Sequence, residues 1–405
     1  MATSGGLAFG PGIRVENRPG AVTKAPYSTS PEPTFGVADP KTAPRALHGC
    51  RLQRQHLVDR HVPSTSGRFV THRVLPSTRV KFCIYGAGAI GGYLAVELAT
   101  AGHDVCVIAR GDHLKAIQKR GLILRIAGRE KIAQVAADEN PQRFGFQDVV
   151  ICTLRAHQAN TSAPDFAPLL GPSTSVLTAM NGIPWWYFYA NGGRFEGHHL
   201  QSVDPAGLQW QFIGPQRAIG CVVEPACEVV EPGIILHHQF NRLIIGEPDG
   251  SHSNRVMALS KALIESGIDA PVRDNIRWNI WLKLLGNVCF NPISALTGAT
   301  LDRITSEPGL LALCKTMMLE AKAVNEALGI QIPLEMMDRR LAAAGSVAGH
   351  KMSMLQDLER GRSLEIDALV TAVQEIGRLT GAPTPIIDAV LALVQERGRT
   401  AHLYV

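Results

Sequence analysis

No Cys-x-x-Cys pair and no His/Cys cluster at zinc spacing occurs in this sequence, although it holds eight cysteines. That argues against a zinc finger, a thioredoxin-like redox pair and any other metal centre. Cys83, Cys106, Cys152 and Cys289 sit in apolar runs and read as small core residues in a reducing, cytoplasmic setting. Charge is sparse too, at 19% of residues and a net +5, with no basic block or aromatic-basic interleaving. A nucleic-acid partner is therefore not expected. Nor is a membrane: the most apolar long window, FCIYGAGAIGGYLAVELATAG, is glycine-rich and carries Glu97. What remains is a 405-residue globular chain, 45% hydrophobic, long enough for two or three domains.

Residues 1–79 are rich in Pro, Gly, Ser, Thr and Arg and lack a sustained hydrophobic period. They read as a disordered or mis-annotated extension. Strand-like sequence begins abruptly at RVKFCIYG, and no Met occurs between Met1 and Met180. A start near Val74 or Val80, a genuine disordered tail and an organellar targeting segment are the three readings.

The clearest stretch is VKFCIYGAGAIGGYLAVELATAGHDVCVIAR. It reads as strand, helix and strand, with Gly86, Gly88 and Gly91 at the first turn in G-x-G-x-x-G spacing. Such a turn lets backbone at Gly86, Ala87, Gly88, Ala89, Ile90 and Gly91 approach a pyrophosphate at a helix N-terminus. At the end of the second strand, where an NAD site carries an acid, stands Arg110, with Asp112 two residues on. A guanidinium there suits a 2′-phosphate and so NADPH. QDVVICTLRAHQ and TSVLTAMNG read as further strands, delivering Arg155 and Asn181 to the same carboxyl edge. The aromatic run Trp185–Phe188 reads either as a pocket cap or as a surface packed against the second half.

From about residue 274 strand patterns give way to helical periods at 276–298, 308–329, 333–345, 363–380 and 385–398. The expected fold is α/β plus all-α: a Rossmann-type doubly wound sheet over 80–273 and a helical domain over 274–405. In WLKLLGNVCFN, Lys283, Asn287 and Asn291 stand four apart among core-type residues. On a helix they share one face. Burying them unpartnered would cost several kcal/mol, so this face is expected to line the cleft and meet a polar ligand. Pro292 places Asn291 at a kink or helix end. A lysine in a partly dry cleft has a lowered pKa and can protonate the alkoxide left by hydride transfer to a ketone.

On the motifs GAGAIGGYLA, GHDVCVIARGDHL, MNGI, IWLKLLGNVCFNPISALTG, SMLQDLERGRSLEIDAL and GAPTP, the chain resembles the ketopantoate reductase family over about residues 80–400. The resemblance implies NADPH-dependent reduction of 2-dehydropantoate to (R)-pantoate, towards pantothenate and coenzyme A. It implies Lys283 as general acid and Asn181, Asn287, Asn291 and Ser353 as substrate contacts. For the cofactor it implies Arg110, Asn181, Glu365 and backbone near Ala226. From the residues alone, SMLQD would be a turn and cap with Asp357 on the surface, and Glu365 an exposed helix residue. Where the family usually has Lys in "LKA", this chain has Arg155, which forks differently and reaches further. The 185–215 segment is also longer and more aromatic than expected. Both departures motivate a second reading, a reductase of a bulkier 2-oxo acid or ketone. A third is an NADPH-binding regulator without turnover. A homodimer is possible, though no heptad or exposed stripe specifies one.

Overall fold

The computed structural model describes residues 79–404. The expectations for residues 1–78 lie outside the described residues.

The N-terminal half begins with β1 (Lys81–Tyr85), α1 (Ala89–Ala101), β2 (Asp104–Ile108) and α2 (Gly111–Arg120). Next come β3 (Leu122–Ile126), β4 (Arg129–Ala133), β5 (Ala136–Asp138) and β6 (Gln147–Cys152). After α3 (Ala156–Ser162) and β7 (Leu170–Thr178), a long connection holds α4 (Leu208–Phe212). Strands β8 (Ala218–Val223), β9 (Ala226–Glu231), β10 (Ile234–Gln239) and β11 (Leu243–Gly246) follow, and α5 (Asn254–Glu265) closes the half.

The main sheet runs β11-β8-β7-β6-β1-β2-β5 and is parallel except at β11. β1 is buried after its first residue, as expected of a central parallel strand. Strand order reverses at β1, between β2 and β6, which puts the glycine turn at the topological switch point. A second sheet, β4-β3-β10-β9, was not expected from the sequence. It lies against α1: Ile235 of β10 fills the space where a side chain at Gly92 would stand.

The helical half begins with α6 (Ile276–Thr297), capped by the Asn275 side chain, which accepts from the Trp278 N–H. It continues through α7 (Leu301–Ser306), α8 (Pro308–Ala327), α9 (Leu334–Gly345) and α10 (Ser353–Glu359). A π-helical turn (Asp367–Thr371) leads into α11 (Ala372–Thr380), and α12 (Pro385–Thr400) ends the half. Two local expectations are corrected. Pro292 does not end the helix, which runs on to Thr297 with Asn291 inside it. The expected helix over 363–380 starts late, with residues 363–366 irregular before the π turn.

One hydrophobic core joins the halves, running from Tyr85 and Val150 through Trp186 and Trp281 to Met317 and Ile376. The run Trp185–Phe188 lies within it and is fully buried. Tyr187 accepts a 2.6 Å bond from the Trp281 indole, and Arg277 of α6 donates to the Tyr187 and Tyr189 carbonyls. Of the two readings for this run, packing against the helical half is the one observed.

Candidate active site

A cavity of about 640 Å³ opens at the carboxyl edge of the main sheet. Its wall takes Gly86–Ile90 from the first turn, Arg110 after β2, Arg155 after β6 and Asn181 after β7. The helical half contributes Ser353, Asp357, Arg360, Arg362 and Glu365.

The glycine turn is shaped for close approach. Gly86 has φ +102°, and a Cβ at Gly91 would collide with the Gly86 carbonyl oxygen. A Cβ at Gly88, by contrast, would meet nothing within 4 Å, so open space lies over the α1 N-terminus. Helix α1 has no side-chain cap and no acid in its first turn. Its first N–H groups and positive dipole end are therefore available to a phosphate. Thr153 Oγ1 donates to the Gly86 carbonyl at 2.5 Å and pins the turn to β6. His113 holds it from the other side. The Gly233 N–H donates to Nδ1 at 3.0 Å, so the ring is neutral and its Nε2–H donates to the Ala87 carbonyl at 2.6 Å. Burial lowers the His113 pKa and keeps that state.

Arg110 is exposed on the cavity rim. Asp112 is also exposed and pairs with Lys115 at 3.0 Å, outside the wall, while Asp138, beside the end of β2, pairs with Arg143 at 3.6 Å. An exposed guanidinium on this rim can take an anionic group.

Lys283 lies just behind the wall. Its ammonium donates to Asn181 Oδ1 at 2.7 Å and to the Val223 carbonyl, both from lining residues. Two of its three protons are used, and the third has no acceptor among the described residues. Burial pulls its pKa down to about 8; Arg340 pushes the same way, while Cys221, Glu224 and Glu365 oppose. Burial raises Glu365 to about 7, with Asp357 adding to the rise and Arg155 and Lys283 opposing it.

The polar face of α6 is thus divided. Asn291 is 1% exposed, and its Oδ1 accepts from Ser353 Oγ at 3.0 Å and the Met354 N–H at 3.2 Å. It caps the start of α10, while its Nδ2 is buried without a partner. The Asn287 side chain is half-buried and makes no hydrogen bond among the described residues. Contrary to expectation, Lys283, Asn287 and Asn291 do not themselves form the wall; they stand behind Asn181 and Ser353, which do. Gly91 and Ala226 also fall outside it, although Cys227 and Glu228 beside Ala226 lie within.

The reading of Asp357 as a surface residue is corrected. It is buried and pairs with Arg155 Nη2 at 2.5 Å. Arg155 also donates to the Ser363 carbonyl, so it ties β6 to the α10 end of the helical half. Glu365 is half-buried in the cavity wall and not on an exposed helix. Sequence reasoning missed His113, Thr153, Glu228 and Arg360. For His113 the signal was present, two residues into the turn after Gly111.

The family model for ketopantoate reductase PanE/ApbA matches residues 82–250, and the model for its C-terminal part matches residues 275–398. The chain belongs to the ketopantoate reductase family. It is 55% identical over 324 residues to the 2-dehydropantoate 2-reductase of Mesorhizobium japonicum, covering 79% of this chain and 99% of that one. Among solved structures of ketopantoate reductases, that of the Ralstonia eutropha PanE/ApbA family protein superposes with a TM-score of 0.68 at 28% identity, covering 80% of this chain and 99% of that one. The 2-dehydropantoate 2-reductase of Geobacter metallireducens gives 0.69 at 27%, covering 78% and 99%. A D-mandelate dehydrogenase solved with NADH and anilino(oxo)acetate shares the fold at 21% identity and a TM-score of 0.68, covering 80% and 99%. Among the described residues, no helix is long and apolar enough to cross a membrane.

Proposed function

We propose that this chain reduces 2-dehydropantoate to (R)-pantoate with NADPH, using Lys283 as proton donor. The observation that carries the reading is the Lys283–Asn181 pair, which holds an ammonium at the sheet edge where the glycine turn and Arg110 would hold a dinucleotide. Bound there, the nicotinamide would supply the hydride that reduces the ketone carbon.

The residues do the rest. The glycine turn and α1 N-terminus take the pyrophosphate, and Arg110 takes the 2′-phosphate. Asn181 and the Val223 carbonyl orient the Lys283 ammonium, whose remaining proton meets the ketone oxygen as it gains charge. A pKa near 8 keeps Lys283 mostly protonated at neutral pH yet ready to give the proton up. In this reading Ser353, in the wall, and Asn287, half-buried behind it, hold the substrate carboxylate and hydroxyl. The regulator reading gives Lys283 nothing to do.

The bulkier-substrate reading loses both of its motives. The aromatic run is core and lines no part of the cavity, and Arg155 is engaged by Asp357. The test is NADPH consumption with 2-dehydropantoate beside a panel of bulkier 2-oxo acids. Selective turnover of 2-dehydropantoate is expected; turnover confined to a bulkier acid would overturn the substrate assignment.

A further inference from the structure

A second charged tie crosses the cavity. Arg360, at the C-terminal cap of α10, places Nη2 2.5 Å from Glu228 Oε1 on β9. Both residues line the cavity that holds Gly88, Ala89 and Ile90, and Arg362 lines it as well. A carboxylate is out of place there. The α1 N-terminus carries no acid of its own, and Glu228 brings a negative charge into the cavity onto which that N-terminus opens. Glu228 also keeps another neighbour, since His238 Nε2 lies 3.4 Å from its Oε2. Releasing Arg360 does not strand it.

We propose that Arg360 is a cofactor-positioning residue that exchanges Glu228 for the pyrophosphate of the bound dinucleotide and so ties α10 of the helical half to the glycine turn through the cofactor. The inference rests on the dinucleotide reading of this cavity. About a third of each side chain is exposed, 36% for Arg360 and 29% for Glu228. Such a partly solvated ion pair contributes little, so the exchange costs little. A pyrophosphate offers the guanidinium a bidentate pair of oxygens and, over its two phosphoryl groups, about twice the charge of one carboxylate. In the cofactor-free state Glu228 neutralises Arg360 and repels anions; in the loaded state Arg360 bridges the two halves through the cofactor. Arg110 and Arg360 then divide the cofactor, with Arg110 reading the 2′-phosphate peculiar to NADPH and Arg360 the pyrophosphate that NADPH and NADH share.

The test is the Kd of NADPH and of NADH for the full chain, measured by calorimetry with Arg360→Ala, Arg360→Lys and Glu228→Gln. Arg360→Ala is expected to weaken both dinucleotides by the same factor, about tenfold, the scale of one charge-assisted hydrogen bond. Arg360→Lys should restore part of that loss, and Glu228→Gln should tighten both. A purely structural ion pair makes a different forecast, because Glu228→Gln would then weaken binding or leave it unchanged; that result overturns the proposal. So does an Arg360→Ala variant that loses NADPH affinity alone, which would assign Arg360 to the 2′-phosphate. Failure of the underlying reading shows separately. Wild-type protein that binds neither dinucleotide removes the site itself. Wild-type protein that prefers NADH removes only the 2′-phosphate assignment, and the Arg360 comparison still decides.

Discussion

At the scale of the residue, the site depends on one ammonium with a shared set of acceptors. Lys283 has two acceptors in Asn181 and the Val223 carbonyl, so its position is fixed before substrate arrives. The sign of the pH dependence follows from its proposed role as proton donor. The proton donor must be charged, and its pKa is lowered to about 8. The kcat for ketone reduction should therefore hold below that value and fall as pH rises through it, about tenfold per unit once the lysine is mostly neutral. A pH–rate profile at saturating substrate checks this, and an unchanged rate at pH 10 would remove Lys283 as the donor. Arg110 makes a separate claim. Replacing it with Ala should weaken NADPH by about tenfold or more and leave NADH nearly unaffected, since only NADPH carries the 2′-phosphate. Parallel binding titrations decide, and equal losses would show that Arg110 does not read that group.

At the scale of the element, the π-helical turn is one place where the halves touch backbone to backbone. Gly182 has φ +85°, and a Cβ there would collide with the Ala368 carbonyl of that turn. The same carbonyl accepts the Ile183 N–H at 2.9 Å. A π turn frees a carbonyl from the regular helical ladder and is frequent at functional sites. Gly182→Ala should thus cost about 2 kcal/mol or more, from the strained φ and the clash together. Because Asn181 is the adjacent residue, it should also lower kcat. A denaturation midpoint and a turnover rate both like wild type would mean the turn is not held as described. Elements also show what sequence can and cannot reveal. The β1–α1–β2 unit was legible because a buried strand, three spaced glycines and a helix-ending Gly102 agree with one another. The second sheet was not. Its strands are short, LILRI and REKIA are partly exposed, and β3 pairs with β10 more than 100 residues away. Lys283 and Asn181 were legible as polar residues in apolar or strand-end settings. Ser353 and Glu365 came only through family resemblance, since their meaning lies in contacts made after folding. Asp357 was misplaced for the same reason: its burial is set by Arg155, about 200 residues earlier.

At the scale of the whole molecule, α6 is the axis of the design. Its apolar faces bury Trp281, Leu284, Leu285 and Val288 in a core continuous with the main sheet, while Lys283 reaches Asn181 and Val223 of the cavity wall from behind. The two halves are therefore not free bodies, and the cleft is a groove in one continuous core. Arg155 closes that groove on its other side. Its pair with Asp357 is largely desolvated, with 22% and 10% of the side chains exposed. Removing the arginine leaves a buried carboxylate unpaired, which costs about 3 kcal/mol. Arg155→Ala should lower Tm and raise the KM for substrate together, whereas Arg155→Lys should keep more of both. Thermal unfolding beside steady-state kinetics measures this, and an Ala variant that unfolds and turns over as wild type would show that the bridge does not hold the cleft.

The central claim is that Lys283 delivers the proton in 2-dehydropantoate reduction, and Lys283→Ala tests it most directly. The measurement is kcat with 2-dehydropantoate and NADPH, alongside the Kd of NADPH. The account predicts a loss of about 10²–10⁴ in kcat with NADPH binding essentially retained. A variant that binds NADPH and turns over at the wild-type rate would contradict it.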